Sequence, residues 1–468
     1  MTVPTGDPLF IFFALAGLVF GIAMFAFPVT NLFVMVGLIP FNGIVSQLLG
    51  GGSTALAFGA LKDLLLAVLF LRVLMTGRTR SVPLPIKVLV AAVLLVSATA
   101  AIDSTGSLQA VYGWRNDYYP LLLLVCVPPL LVDDVVRKRL LVWIAALAQV
   151  AAVIAVYTWS RGIAWLYDIG ILPVGPEDRF PFERFNAGSI TPRAFSPYQA
   201  ANEGAVATNV IIAAIWCNST WSVRTRALLT VLPVTMIGLT QSRSGLVGLF
   251  LLAAVISARY FHRRIARGLW FEVGIVTLLF ATFGGLYYIA RQRATIAGAA
   301  DPSFVGHADS LAASLPKLLA NPIGGGLGEV GPRAVRFTQS PVLVESYWLV
   351  IGLESGLIVL AMYLAILVFL TLTGLKAGTL VAFTAPAALA GSLVSQMVLP
   401  TMQEGAVCYT LWIVVSCGIA AAMRPPPRPT LAAMERPVLQ TLSRDSRMSR
   451  KVSHLPTVSK RGRHATPD

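Results

Sequence analysis

Uninterrupted apolar stretches recur along almost the whole chain, each close to the length a helix needs to cross a bilayer. No other feature limits the fold as tightly. A span takes about 20 residues of helix. Lipid offers the backbone no hydrogen-bond partner, so a span must be a helix or a strand of a closed barrel. The runs are continuous and do not alternate with period two, which selects helices. Composition agrees, because 12% of the residues are charged and 56% hydrophobic, where a soluble chain carries about 25% charged residues.

The pattern predicts spans at 9–27, 30–49, 56–75, 86–102, 118–132, 140–159, 198–217, 227–241, 244–258, 270–290, 343–370, 379–400 and 406–422. Pro28, Pro40 and the Gly50-Gly51-Gly52 break leave 28–55 open as a full span or a re-entrant piece, so about twelve or thirteen helices are expected. The predicted class is an all-α polytopic integral membrane protein. No Lys or Arg precedes the first run. A signal-peptide n-region is therefore missing, and 9–27 is expected to be a retained helix.

The net charge of +15 is concentrated at Arg72/Arg78/Arg80/Lys87, Arg137/Lys138/Arg139, Arg224/Arg226, Arg259/Arg263/Arg264/Arg267 and the tail from Arg424. These clusters flank apolar runs, so the positive-inside rule accounts for them and no nucleic-acid partner is implied. With the clusters in the cytoplasm, 103–117 and two long loops, 160–197 and 291–342, fall outside. Both long loops are expected to be partly helical and packed over the outer face. Leu311, Leu315, Leu318 and Leu319 have helical spacing in the second. The chain divides into a membrane domain, 1–422, and a basic tail, 423–468. The tail opens on Arg424-Pro425-Pro426-Pro427-Arg428-Pro429 and is expected to be a disordered cytoplasmic segment.

Several chemistries are not signalled. No P-loop occurs. Gly326-Leu327-Gly328-Glu329-Val330-Gly331 matches G-x-G-x-x-G, but it follows Asn321-Pro322 with no βαβ unit around it. The four histidines are scattered, no Asp-x-Asp occurs, and Cys126, Cys217, Cys408 and Cys417 all lie in apolar runs. Neither a metal nor a cofactor is expected.

Polar breaks in the apolar pattern are more informative. Thr240-Gln241-Ser242-Arg243-Ser244-Gly245 suits a tight hairpin between two spans. An arginine at mid-bilayer costs about 2.5–3.5 kcal/mol, so Arg243 should sit at the interface or line a polar cavity. Asn321-Pro322 breaks a helix and is followed by glycines. Glu345 and Glu354 then stand at the head of an apolar span, where the helix dipole favours an acidic side chain. Lys62-Asp63 lies inside the third span.

Four segments carry a resemblance to the O-antigen ligase/polymerase family of membrane glycosyltransferases. They are Thr191-Pro192-Arg193-Ala194-Phe195-Ser196 followed by Asn202, the 240–245 hairpin, Asn321-Pro322-Ile323-Gly324-Gly325-Gly326-Leu327-Gly328, and Glu345-Ser346-Tyr347-Trp348-Leu349 followed by Glu354-Ser355-Gly356-Leu357. The similarity covers roughly 185–372. It implies a multi-pass protein of the bacterial inner membrane with its active site facing the periplasm. It also implies transfer of a glycan from a polyprenyl (undecaprenyl) diphosphate carrier to a hydroxyl of a glycan or of lipid A core, without a metal. Export or chain-length machinery would be a partner of a polymerase of this kind. The ligase branch commonly has a histidine at the head of the span after the large outer loop. Here that place reads Glu345-Ser346, which favours a polymerase of surface or exported polysaccharide.

The residues suit that chemistry. Charge growing on a departing diphosphate must be met by fixed cations, and arginine bonds phosphate oxygens bidentately. Arg193, Arg243, Arg291, Arg293, Arg333 and Arg336 are the diphosphate-binding candidates on the outer side. The acceptor hydroxyl needs a base. Glu345 is the first candidate and His307, the one histidine placed outside, the second. The alternatives are an O-antigen ligase, a lipid-linked glycan flippase for which Lys62-Asp63 is the supporting feature, and an assembly partner without activity.

The topology is testable with a reporter active only outside the cytoplasm. Fusions after Arg193 or Pro322 are expected to be on, and fusions after Arg264 or Arg428 off. Reversal at either pair overturns the map.

Overall fold

The computed structural model of the chain describes residues 8–49, 52–170, 183–186, 189–194, 197–198, 200–262, 302–332, 334, 337, 342 and 344–424. Residues 1–423 form one compact unit and 424–468 a second. The tail from 425 and the run 270–290 lie outside the described residues.

The described chain is helical apart from one short hairpin. In order, the helices are α1 (Pro8–Ala26), α2 (Pro28–Leu38), α3 (Asn42–Leu48), α4 (Gly52–Met75), α5 (Leu84–Thr99), α6 (Ser107–Asp117), α7 (Leu123–Cys126), α8 (Pro128–Leu131) and α9 (Asp134–Asp168). Strands β1 (Glu183–Asn186) and β2 (Ser189–Pro192) pair antiparallel, with Glu183 opposite Pro192. Then come α10 (Ala201–Cys217), α11 (Val223–Thr240), α12 (Arg243–His262), α13 (Pro302–Ala320), α14 (Tyr347–Lys376), α15 (Thr384–Leu393) and α16 (Gly405–Ala422).

Among the described residues six helical segments are long and apolar enough to cross a membrane: Pro28–Ser46, Asp134–Gly162, Val223–Thr240, Arg243–Tyr260, Tyr347–Lys376 and Gly405–Ala422. Leu15–Ala26, Leu84–Thr99, Tyr119–Leu131 and Ala201–Cys217 are apolar but shorter. The polytopic helical class expected from the apolar runs is therefore compatible with the fold.

Element ends follow local chemistry. Pro28 opens α2, where its missing N–H is no loss. Ser222 caps α11 by accepting from Thr225 N at 3.1 Å. Three predicted elements differ in form. The run 118–132 contains Pro120, Pro128 and Pro129 and folds as successive short turns, since each proline removes a donor. The run 379–400 holds only the ten-residue α15, followed by a 3-10 turn at Ser395–Met397, an unwound stretch and a second 3-10 turn at Thr401–Gln403. Ten helical residues reach about 15 Å, half of a hydrocarbon core. In the segment 160–197, helix continues only to Asp168, and the later described part is the β1–β2 hairpin.

The core is centred on α16, which is buried on nearly every side, together with α10. Small residues let their neighbours approach closely. A Cβ on Gly248 of α12 would lie 2.5 Å from the Gly391 carbonyl of α15. A Cβ on Gly418 of α16 would lie 2.7 Å from Ala385 N. Close backbone contact of this kind is how apolar helices associate without a hydrophobic driving force between them.

The segment after α13 fixes the outline of the candidate site. Residues 321–331 strap onto α14 where it kinks at Gly356 (φ 83°, ψ 171°). Gly325 N donates to Leu353 O at 2.7 Å, Gly326 N to Glu354 O at 3.1 Å, and Leu357 N to Pro322 O at 2.8 Å. The strap thus takes up backbone groups that the kink releases. Its other face is held by α6 and the turn before it. Leu327 N donates to Ser104 Oγ at 2.7 Å, and Gln109 Nε2 donates to Gly328 O at 2.8 Å. The glycine-rich match at 326–331 is therefore a backbone clasp between two helices.

Gly356 occupies a conformation open only to glycine, and a Cβ there would strike the Ile323 carbonyl. Gly356→Ala is expected to lower stability by about 1–3 kcal/mol or more from the backbone alone. Thermal melting of the purified protein reads this. Leu357→Ala at the adjacent, partly exposed position is expected to cost less.

Candidate functional site

Four polar stretches meet at one end of the helix bundle. The first is Arg193, just after β2. Its Nε donates to Thr240 O at 2.7 Å, and its Nη2 donates to Asn202 Oδ1 at 2.7 Å. The guanidinium fork thus ties the end of the β hairpin to both α10 and the end of α11. Ala194 N adds a bond to Leu239 O at 2.9 Å.

The second stretch is the turn between α11 and α12. Gln241 sits in the left-handed region (φ 51°) and closes α11. Such a conformation is uncommon outside glycine and marks a sharp reversal of the chain. Ser242 Oγ accepts from Gly245 N at 3.2 Å and starts α12. Arg243, the first residue of α12, is exposed, while Ser242 and Ser244 are buried beside it. The hairpin inferred from Thr240–Gly245 is present, with its arginine at the end of the helix pair.

The third stretch is the unwound segment 395–404. Ser395 Oγ donates to Ser244 O at 3.0 Å, which joins the segment to the arginine hairpin. Gln396 holds the unwound turn together: its Nε2 donates to Thr401 Oγ1 at 2.8 Å and its Oε1 accepts from Met402 N at 3.1 Å. Gln403 Nε2 reaches Asp117 Oδ2 at 3.4 Å. The fourth stretch is the head of α14. Ser346 Oγ donates to Gln396 O at 3.5 Å, and Glu345 N donates to Ser310 Oγ of α13 at 3.1 Å. Glu345 is half-buried.

The residues next to Arg243 and to Glu345 are thus bonded to one segment, 395–404, and Arg193 is tied to the end of α11 beside that hairpin. His307 falls within α13, and its side chain lies outside the described residues. Arg291, Arg293, Arg333 and Arg336 also lie outside them.

Two further clusters adjoin this end. One is a buried pair of carboxylates. Glu354 of α14 accepts from Val330 N at 3.4 Å, and Tyr118 OH donates to Ser355 Oγ at 2.7 Å. Asp117 is fully buried, and its own carbonyl accepts from Tyr347 OH at 3.3 Å. Glu354 stood out in sequence as an acid in an apolar helix. Asp117 did not, because it lay in a segment assigned to a loop. The other cluster is charged. Asp63 of α4 binds both Lys62 and Arg115 of α6, and Tyr409 OH of α16 donates to Asp63 Oδ1 at 2.5 Å. Lys62-Asp63 was visible in the apolar run, whereas nothing in the spacing assigned Arg115 to it.

Chemically, the four stretches offer a guanidinium at a helix end, a carboxylate at the head of another helix, and hydroxyl and amide groups between them. Guanidinium can bind a phosphate bidentately. A half-buried carboxylate can accept a proton from a hydroxyl brought to it. No protein-family model matches the chain, and no curated protein matches it at a significant level.

Arg193 and Arg243 are expected to respond differently to lysine. Arg193→Lys cannot span Thr240 O and Asn202 together, so it should lose about 1.5–3 kcal/mol of stability. Arg243→Lys, at an exposed position, should melt within about 0.5 kcal/mol of wild type. Thermal unfolding of the two variants side by side checks this. Equal melting would remove Arg193 as the tie between hairpin and helices.

Proposed function

We propose that the chain is a membrane glycosyltransferase that moves a glycan from a polyprenyl diphosphate carrier to a hydroxyl of an acceptor glycan. On this reading it polymerises surface or exported polysaccharide in the bacterial inner membrane, with about twelve or thirteen spans and the site on the periplasmic face. The observation that carries the reading is the segment 395–404, which bonds both the Arg243 hairpin through Ser244 and the Glu345 end of α14 through Ser346. On this reading Arg243 and Glu345, each next to a residue bonded to that segment, would be the cation for the departing diphosphate and the base for the incoming hydroxyl.

The reaction this arrangement suits is a direct displacement. The acceptor hydroxyl oxygen attacks the anomeric carbon of the donor glycan, and its proton passes to the Glu345 carboxylate. The bond from the anomeric carbon to the diphosphate oxygen breaks, and the electron pair leaves with the lipid diphosphate. The anomeric centre inverts. Arg243, and Arg193 where its fork can also reach the ligand, meets the charge growing on the leaving group. Glu345 at the head of α14 in place of a histidine supports polymerisation over ligation to lipid A core.

The Lys62–Asp63–Arg115 cluster inside the bundle supports a second reading, a lipid-linked glycan transporter, because intramembrane ionisable groups often mark a substrate path. Deleting the gene separates the readings. Single repeats on the carrier with no long chains indicate a polymerase, free lipid-linked polymer a ligase, and glycan trapped on the cytoplasmic face a transporter.

Elongation of purified lipid-linked repeats by the full-length protein in nanodiscs tests the base. Glu345→Gln is expected to assemble normally and to lose about 10²–10⁴-fold in turnover, since the amide keeps the shape but cannot take a proton. His307→Ala is expected to keep most of its rate. Near-normal elongation by Glu345→Gln with collapse in His307→Ala would move the base to His307.

A further inference from the structure

The end of α4 turns two arginines toward one cleft. Arg72 stands in its last turn. Thr76 N donates to Arg72 O at 3.1 Å, and Thr76 Oγ1 donates to the same oxygen at 2.9 Å. Gly77 N donates to Leu74 O at 3.0 Å. Gly77 then takes the left-handed conformation (φ 67°) in which helices commonly end, and a 3-10 turn follows at Arg78–Ser81. The carbonyls of Arg72 and Leu74 are therefore capped by the chain itself, and the Arg72 guanidinium is not needed for them. The reversal at Gly77 brings Arg78 back to the cleft that Arg72 lines.

The cleft encloses about 170 Å³, more than ten times the roughly 10–15 Å³ that one water needs. Buried Val73 and Leu130 form its apolar side, with Pro28 where α1 passes into α2. Arg72, Thr76 and Arg78 form its polar side. Arg72 is half-buried, and its guanidinium lies over the Phe25 ring, 5.2 Å from the ring centre. That stacking holds the plane of the fork. Its Nε is buried yet has no hydrogen-bond partner among the described residues. Such a donor calls for an acceptor from outside the protein. The ion pairs among the described residues engage Lys62, Arg115 and Arg137, and neither Arg72 nor Arg78 is among them. The acids that follow Leu130 are turned to α9. Asp133 Oδ1 accepts from Val135 N at 2.8 Å, and Asp134 pairs with Arg137. Water could serve the Arg72 donor, but it would leave two like charges facing one cleft.

We infer that Arg72 and Arg78 hold the phosphate of an anionic membrane phospholipid in this cleft. A phosphate offers several acceptor oxygens to one planar fork, so it can take the buried Nε and a second donor of Arg72 together. Arg78, exposed at the rim, meets the remaining charge. The surroundings select a phosphate that carries acyl chains. Leu71, Leu74 and Met75 flank Arg72 on α4 and are exposed, and Phe27 is exposed beside Pro28. Chains hanging from a headgroup in the cleft would lie along these side chains. Arg80 and Lys87 complete the basic cluster at this end of the apolar runs. Basic pockets between spans on the cytoplasmic side are where anionic headgroups bind. The site shares no residue with the Arg193–Arg243–Glu345 end and goes beyond the glycosyltransferase reading. A transporter or an assembly partner would carry it equally.

Native mass spectrometry of the full-length protein in neutral detergent, titrated with dioleoylphosphatidylglycerol, tests this without turnover. Wild type is expected to keep one tightly bound lipid. Arg72→Met leaves a stem against Phe25, and Arg78→Gln changes an exposed turn residue, so both should melt near wild type. Each should weaken the tight lipid roughly tenfold to hundredfold, the loss of one charge-assisted bond. Arg78→Gln carries the test alone if Arg72→Met does not assemble. Arg80→Gln, exposed and outside the cleft, should bind as wild type does. Wild-type affinity in Arg78→Gln would overturn the site. An equal loss in Arg80→Gln would overturn it too, because diffuse surface charge would then account for the binding. So would dioleoylglycerol, which has no phosphate, binding with the same dependence on Arg78. Inorganic phosphate displacing the lipid at equal concentration would overturn the assignment to a lipid.

Discussion

A chain that breaks a helix inside a bundle of apolar helices must satisfy every released N–H and C=O from within the protein. The segment 395–404 is where this constraint bears hardest. It lies between α15, too short to cross a bilayer, and α16, the most buried helix of the fold. Its partners come from every side: Ser244 of α12, Ser346 at the head of α14, and Asp117 at the end of α6. Because each partner belongs to a different element, satisfying one unwound stretch also fixes the relative placement of the hairpin, α14 and α6. The candidate site is a consequence of that placement.

The same economy appears at the strap. The kink at Gly356 frees backbone groups of α14, and residues 322–326 take them up. Glu354 adds its carboxylate to the clasp through Val330 N. A buried carboxylate is costly unless hydrogen-bonded. Here it holds a glycine-rich turn that has little side-chain packing of its own. The turn then reaches α6 through Leu327 and Gly328. The two breaks, one at 395–404 and one at 356, therefore both reach α6 and the turn before it, the strap at Ser104 and Gln109 and the segment 395–404 at Asp117, the last residue of the helix.

The helical class was legible because length and continuity of apolar runs leave few other solutions. The 240–245 hairpin was legible for a local reason: polar residues with a glycine interrupt an apolar stretch, and the turn needs nothing distant to form. What could not be read was whatever depends on a partner far along the chain. Arg115 stands alone in sequence, and only folding brings it to Asp63, 52 residues earlier. The short α15 read as a full span because 379–400 is apolar enough. What stops it is polar: Ser395, Gln396 and Thr401 bond one another and remote elements. Arg193 was read as a ligand group from its polar setting, and the fold gives its fork two protein acceptors that the setting did not reveal.

The length of one apolar stripe bears on where the site lies. α13 and the first part of α14 run side by side in the same direction, since Ser310 meets Glu345, Leu318 packs at Gly352, and Pro322 meets Leu357. The exposed residues Leu311, Leu315 and Leu319 on α13 and Ile323 just after it continue into Leu357, Ile358, Leu364, Val368, Leu372 and Leu375 on α14. At 1.5 Å per residue the part before the Gly356 kink is about 18 Å long and the part after it about 27 Å, whereas the hydrocarbon core is about 30 Å thick. A bilayer that covers the α14 part, itself close to 27 Å by the same rise, leaves the α13 part at the interface or above it. Glu345 and the segment 395–404 beside it would then stand beyond the hydrocarbon, where a hydroxyl can arrive with its water. The Leu311–Ile323 stripe would meet the headgroup region, as amphipathic helices do. On that geometry Glu345 would stand on the aqueous side of the Gly356 kink, with the exposed α14 stripe from Leu357 onward against the lipid.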